Sequence, residues 1–213
     1  MDELELLKKD WKTREQKNPQ LSYDDIYSML FKKSTSIVKW IFIISIGELL
    51  FWAGLSLLTP KSSYEILDKF GVTQILWGIN IIHYIVFIGF IFLFYKNYSG
   101  IKVTDSTKQL INNIINTRKT VRYFVIYNVV VFVLTLIFIN ILYYLKSDVL
   151  IDYIKEQNGS IYNPSTFLNY FFIIQIVIGV LMLGLLLLFY RVVYGILLQR
   201  LKNNHKELEK IEI

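Results

Sequence analysis

The sequence predicts an all-α membrane protein. The expected architecture is a four-transmembrane-helix bundle, built as two tandem parallel repeats of an amphipathic cytoplasmic helix followed by a helical hairpin. Three observations carry this reading. Of the 213 residues, 54% are hydrophobic and 16% aromatic while 19% are charged; soluble domains run at about 45–50% apolar and about 25% charged. The apolar residues collect in four runs close to or above the roughly 20 residues that cross about 30 Å of hydrocarbon. Of the 23 Lys and Arg, 19 lie in residues 1–39, the middle connection and the C-terminal segment, and four in the other two connections.

Residues 1–36 form an N-terminal cytoplasmic region of amphipathic helices. Within residues 2–16, Leu4, Leu7 and Trp11 recur at helical spacing among Lys8, Lys9 and Lys12. Asp2, Glu3 and Glu5 suit the positive end of a helix dipole. Leu4, Leu7 and Trp11 are the candidate partner-facing residues. Asn18-Pro19 ends this helix. Ser22-Tyr23-Asp24-Asp25 then has the pattern of a capping box, and Ile26, Met29 and Leu30 share one face of the helix it starts.

The membrane domain covers residues 37–190. Its first span, residues 37–58, holds Lys39 near the start and Glu48 at the middle. The second, 75–95, holds Asn80 and His83; the third, 123–145, holds Asn128 and Asn140; the fourth, 167–190, holds Gln175. The cytoplasmic connection 96–122 includes an amphipathic stretch, 104–116, striped by Leu110, Ile111, Ile114 and Ile115. Residues 191–213 continue the fourth span as a cytoplasmic helix. There Leu197, Leu201, Asn204, Leu208 and Ile211 repeat at spacings of 4, 3, 4 and 3, a two-heptad seam. Such a seam pairs with a second copy or packs on the chain's own residues 22–33. No cleavage site follows the first apolar run, so the first span is expected to stay as an anchor.

Charge sets the orientation. Residues 1–39 carry eight Lys and Arg, the connection 96–122 carries six, and the segment from Arg191 onward five; the two remaining connections carry two each. Positive residues stay on the cytoplasmic side, so both termini are cytoplasmic and two short loops face out. The net charge of +6 therefore records topology and contact with anionic headgroups. A nucleic-acid surface would need clustered basic residues and stacking aromatics on a soluble face, and that pattern is missing from the sequence.

The halves resemble each other. Gly89, Leu93-Phe94-Tyr95-Lys96 and Gly100-Ile101 recur 95 positions later as Gly184, Leu188-Phe189-Tyr190-Arg191 and Gly195-Ile196, and at the same displacement Asn80 meets Gln175. Val38-Lys39-Trp40 recurs 83 positions later as Val121-Arg122-Tyr123. Both copies have the same orientation, which makes the repeats parallel.

Polar side chains within the spans are the candidate site residues: Glu48, His83, Asn80 and Gln175. An ionisable group at the centre of a membrane helix costs about 2.5–3.5 kcal/mol even on lenient scales. Counted from the inside, Glu48 and His83 lie at nearly equal depth on adjacent antiparallel helices. A hydrogen-bonded Glu48–His83 pair would offset part of both costs. The alternative is a neutral Glu48 bonded to another neighbour. The second repeat has Val131 at the place of Glu48, so such a site occurs once. Asn80, Asn128, Asn140 and Gln175 are expected to bond between helices.

The chain has no cysteine, which excludes a disulfide scaffold, thiolate-ligated metal and thiol chemistry. The sequence also lacks a P-loop, a dinucleotide-binding turn, a Ser-His-Asp set and a His/Glu metal cluster. No catalytic residue, metal or cofactor is assigned.

Several stretches carry a family resemblance. They are Glu3-Leu4-Glu5-Leu6-Leu7-Lys8-Lys9-Asp10-Trp11, Lys32-Lys33-Ser34-Thr35-Ser36-Ile37-Val38-Lys39-Trp40, Thr117-Arg118-Lys119-Thr120-Val121 and Leu201-Lys202-Asn203-Asn204-His205-Lys206-Glu207-Leu208. Nearly the full chain resembles a family of small four-span bacterial inner-membrane proteins. Members often carry the label beta-carotene 15,15'-monooxygenase. The residues argue against that chemistry here: carotenoid-cleaving iron oxygenases use several histidine ligands, and this chain has two, His83 and His205. The resemblance also implies an association with sigma-factor regulation, which suits a cytoplasmic N-terminal docking arm.

The leading expectation is a non-enzymatic regulatory or interaction protein of the inner membrane. Its basic cytoplasmic face, residues 1–33, 102–120 and 197–213, would meet a protein partner or a second copy. The alternatives are a small transporter or proton-handling protein using Glu48 and His83, and then a lipid- or carotenoid-modifying membrane enzyme.

Overall fold

The computed structural model describes Glu5 and residues 22–102, 106–159 and 163–211. The helix expected over 2–16, with Leu4, Leu7 and Trp11, lies outside the described residues apart from Glu5. Six helices form the rest: α1 (Tyr23–Leu57), α2 (Lys61–Lys69), α3 (Thr73–Ser99), α4 (Thr107–Leu145), α5 (Ser147–Asn158) and α6 (Pro164–Ile211). No strand occurs among the described residues.

Local chemistry sets the ends of these helices. Ser22 caps α1: its Oγ accepts from the Asp24 N–H at 3.1 Å, and the Asp25 carboxylate accepts from the Ser22 N–H at 3.1 Å. This is the expected capping box. Thr59-Pro60 follows α1, and proline disfavours helix at the residue before it. Gly71, at φ +71°, turns the chain between α2 and α3. Ser106 Oγ caps α4 through the Gln109 N–H, and Pro164 opens α6, with Asn163 Oδ1 accepting from the Thr166 N–H.

α1, α3, α4 and α6 are each long and apolar enough to cross a membrane. They surround one axis: α1 packs on α3 and α6, and α4 packs on α3 and α6, so α1 and α4 are diagonal. The bundle is up-down-up-down, with α2 and α5 joining the hairpins at one end.

Two of the amphipathic segments expected as separate helices are instead continuous with the spans: residues 23–36 belong to α1 and 107–122 to α4, while 191–211 continue the fourth span in α6 as expected. The physical reason lies in the junctions at residues 36 and 122, which hold neither proline nor glycine, so the helical repeat carries on. At about 1.5 Å per residue, α4 with 39 residues and α6 with 48 far exceed the hydrocarbon thickness. Their extensions form a stub beyond the apolar belt.

Stub and membrane bundle share one seam. On α4, Leu110, Ile114, Thr117, Val121, Phe124 and Asn128 are all buried, at alternating spacings of four and three. On α6 the same alternation runs through Tyr190, Tyr194, the partly buried Leu197, Leu201, Asn204 and Leu208, and on α1 through Ser34, Val38, Ile41, Ser45 and Glu48. This 3.5-residue period is that of knobs-into-holes packing. The tail seam thus packs on the chain's own helices, and Asn204 Nδ2 donates to Ser34 Oγ at 3.1 Å. The apolar residues away from the seam, such as Leu50, Ile82, Leu134 and Leu181, are exposed and form the belt.

The element order repeats: long helix, short helix, long helix, twice over. The matched span ends behave differently. Gly100 closes α3, with its N–H donating to Lys96 O, whereas α6 runs through Gly195 into Ile-Leu-Leu-Gln-Arg-Leu, a run rich in strong helix formers.

Truncating a seam residue in the stub tests its packing. Leu201→Ala or Ile114→Ala should lower stability by about 2–5 kcal/mol, read by thermal unfolding in detergent. Hydrogen exchange should rise in residues 107–122 and 196–210 together, because the two strips share one core.

Candidate functional site

Phe124 is the centre of the bundle's packed half. It is fully buried and meets five rings: Phe87 at 5.0 Å, Phe90 and Phe94 at 5.4 Å, Tyr194 at 5.8 Å and Tyr190 at 6.4 Å between centroids. Most of these pairs are edge-to-face, the arrangement ring quadrupoles favour. The cluster fixes the two tyrosines of α6 so that their hydroxyls point toward α1.

Glu48 receives both hydroxyls. Tyr190 donates to Oε1 at 2.5 Å and Tyr194 donates to Oε2 at 3.1 Å. The carboxyl is 6% exposed, so both oxygens find partners inside the protein, as an apolar surrounding demands. The two tyrosines stand four residues apart, one turn of α6, and so present their hydroxyls along one face.

His83 has a different partner. Its Nδ1 lies 3.2 Å from the Tyr127 hydroxyl, and the two rings stack at 5.7 Å with planes 12° apart. Glu48 and His83 therefore do not form the expected pair. The reason is positional: Glu48 lies on the α1 seam facing α6, whereas His83 turns toward α4. Tyr190, Tyr194 and Tyr127 are the site residues that sequence reasoning did not single out. Their signal was present: a Tyr-x-x-x-Tyr spacing on one helix and a tyrosine within an apolar run.

The amides bond along their own helices rather than between helices. Asn80 Nδ2 donates to Leu76 O, Asn128 Nδ2 to Phe124 O and Asn140 Nδ2 to Leu136 O, each at 2.9 Å. The carbonyl four residues back on the same helix is within reach of each amide NH₂ and takes its bond. Gln175 faces Asn140 across a small apolar groove between α4 and α6, and neither Gln175 Oε1 nor Asn140 Oδ1 has a partner.

Above the Glu48 clamp the bundle opens. On α1, α3 and α4, no residue of the spans beyond Glu48, Phe87 and Asn128 toward the short helices is buried. A second core closes the far end. There Ile66 of α2 and Phe70 pack on Leu150 and Tyr153 of α5, with Tyr143 and Phe171 beneath them. Tyr153 donates to Ser62 O at 3.1 Å, and Lys69 pairs with Glu156. Between clamp and cap lies a cavity of about 790 Å³. Tyr190 forms part of its floor, and Asn80, His83 and Asn128 stand in its walls. Among the described residues no group of three or more His, Cys, Asp or Glu could hold a metal ion.

Residues 24–213 match the family described as Domain of unknown function (DUF8845), and the chain belongs to that family. No match was found among curated proteins or among solved structures.

The clamp can be separated from the expected pair by a double-mutant cycle. Tyr190→Phe and Tyr194→Phe should each cost about 0.6–2 kcal/mol of stability in detergent or bilayer unfolding. Glu48→Ala should cost more than Glu48→Gln, because alanine leaves both hydroxyls without an acceptor. Glu48→Gln should couple to Tyr190→Phe and not to Tyr127→Phe. Coupling to Tyr127→Phe instead would place the carboxyl with the histidine.

Proposed function

We propose that the chain is a non-enzymatic regulatory or interaction protein of the bacterial inner membrane, and that its basic cytoplasmic face docks a protein partner. The stub carries the reading. Three helices run past the apolar belt and pack into a polar bundle whose surface holds Lys32, Lys33, Lys108, Arg118, Lys119, Arg122, Arg200, Lys202 and Lys206. A stub built on a continuous seam is a rigid platform, and its basic surface suits an acidic partner.

The buried stripes narrow where a partner could sit. Leu110, Ile114, Leu201 and Leu208 are consumed by the chain's own core, which leaves the charged surface and residues 1–21 as the docking elements. The short-helix end is acidic by comparison: Glu65, Asp68, Asp148, Asp152 and Glu156 accompany four lysines. The small number of basic residues at that end, against those of the stub, supports placing the stub in the cytoplasm.

Two measurements test this. A reporter fused at residue 158 should report the outer side; a cytoplasmic signal there reverses the orientation. Purification from native membranes should bring down a stoichiometric protein that is lost on deleting residues 1–18 or on Arg118→Glu with Arg122→Glu. The same protein should be retained by Glu48→Gln. Absence of any stoichiometric partner, or its loss with Glu48→Gln alone, would count against docking through the stub.

A further inference from the structure

We propose that the cavity between the Glu48 clamp and the short-helix cap binds a neutral, lipid-like alcohol taken from the bilayer. This site is independent of the docking face and lies at the other end of the bundle.

Size comes first. At about 790 Å³ the cavity falls in the range of about 300–1,000 Å³ that small-molecule sites occupy. Its walls are mostly apolar, with Leu76, Phe132, Phe138 and Leu186 prominent, and no Lys, Arg, Asp or Glu lines it. A phosphate or carboxylate headgroup would enter without a counter-charge, and charged groups are not left unpaired in such surroundings. The occupant is therefore uncharged.

Its polar end is defined by what the walls leave open. Asn80 and Asn128 each donate their amide NH₂ to a carbonyl of their own helix. Only the NH₂ can pair with a carbonyl, so this bond fixes the orientation of each amide and leaves its Oδ1 as an acceptor. His83 bonds Tyr127 through Nδ1 and keeps Nε2. The two amide acceptors and the imidazole nitrogen, with the Thr135 hydroxyl and Trp52 in the same lining, match a hydroxyl, which donates once and accepts as well. A ketone or an ester offers no donor to the two amide oxygens.

The route of entry fits a lipid. Ile79 on α3 and Leu134, Ile137 and Ile141 on α4 line the cavity and are exposed on the apolar belt. The mouth thus opens where the bundle faces hydrocarbon. At the other end, the Ile66–Tyr153 core caps the bundle.

The test uses the full chain in phosphatidylcholine nanodiscs and a diazirine-bearing hexadecanol as the probe. Labelling should saturate and map to peptides covering residues 76–83 and 128–141. Unlabelled hexadecanol should compete, while hexadecane and hexadecyl phosphate at equal concentration should not. Asn128→Leu and Asn80→Leu should each weaken the apparent affinity by roughly 3- to 10-fold, the range expected for one lost hydrogen bond. Val131→Phe fills the space without touching an amide and should abolish saturable labelling, which keeps the test decisive if an asparagine variant fails to fold. Labelling that rises linearly with probe, competition by hexadecane equal to that by hexadecanol, or labelling unchanged by Val131→Phe would each overturn the proposal.

Discussion

The fold depends on one buried carboxyl and the two hydroxyls that serve it. In hydrocarbon, apolar side chains do little to choose between helix faces, because lipid solvates leucine as well as a neighbouring helix does. A helix that is apolar all round therefore needs another reason to turn one side inward. Glu48 supplies it for α1, since its carboxyl finds both partners on α6. Tyr190 and Tyr194 in turn fix α6, and their rings pack on Phe124 of α4. Phe87, Phe90 and Phe94 close the set by bringing α3 against the same ring. One polar contact and one aromatic cluster thus join all four helices within the membrane half.

Much of this was legible in the sequence, and the exceptions have a common cause. The four apolar runs, the capping box at Ser22 and the tail seam at Leu201, Asn204 and Leu208 all follow from local composition and spacing. The inward faces of the spans did not, because Ile, Leu, Val and Phe occur on every side of them. The small and polar residues marked those faces: Ser34, Ser45, Glu48, Thr117 and Asn128 all lie on buried seams. Depth alone placed Glu48 beside His83. Depth is shared by residues all round a helix, whereas bonding also requires the right azimuth, and on that coordinate Glu48 meets α6 and His83 meets α4. The junctions at residues 36 and 122 were likewise hidden. Amphipathicity shows where a helix changes its surroundings, yet nothing in that pattern says that the backbone breaks.

Packing is uneven along the bundle, and this follows from where the large rings and the stub lie. The stub half has the continuous seam with Leu110, Ile114, Leu201 and Leu208 fully buried. The other half has Gly78, Gly179 and Gly184 on its helices, and only at Gly179 does a neighbouring side chain, that of Leu136, come within 4 Å of an added Cβ. Helices held together at one end by aromatic packing and at the other by the α2–α5 cap are free to stand apart between them. The cavity is the consequence of two strong cores separated by a weak stretch.

That division also separates the two ends in composition. The apolar cavity is joined to the charged stub by uninterrupted helix: α6 runs from Pro164 beside the cap to Ile211 in the stub without a break. Tyr190 belongs to both regions, since its ring lines the cavity and its hydroxyl binds Glu48. The ring touches Phe124 and Tyr194, and the α4 and α6 seams continue from those residues to Thr117 and Asn204. A packed seam transmits displacement because its neighbours have no space to absorb it. The clamp is therefore the point at which the lining of the cavity meets the packed seam.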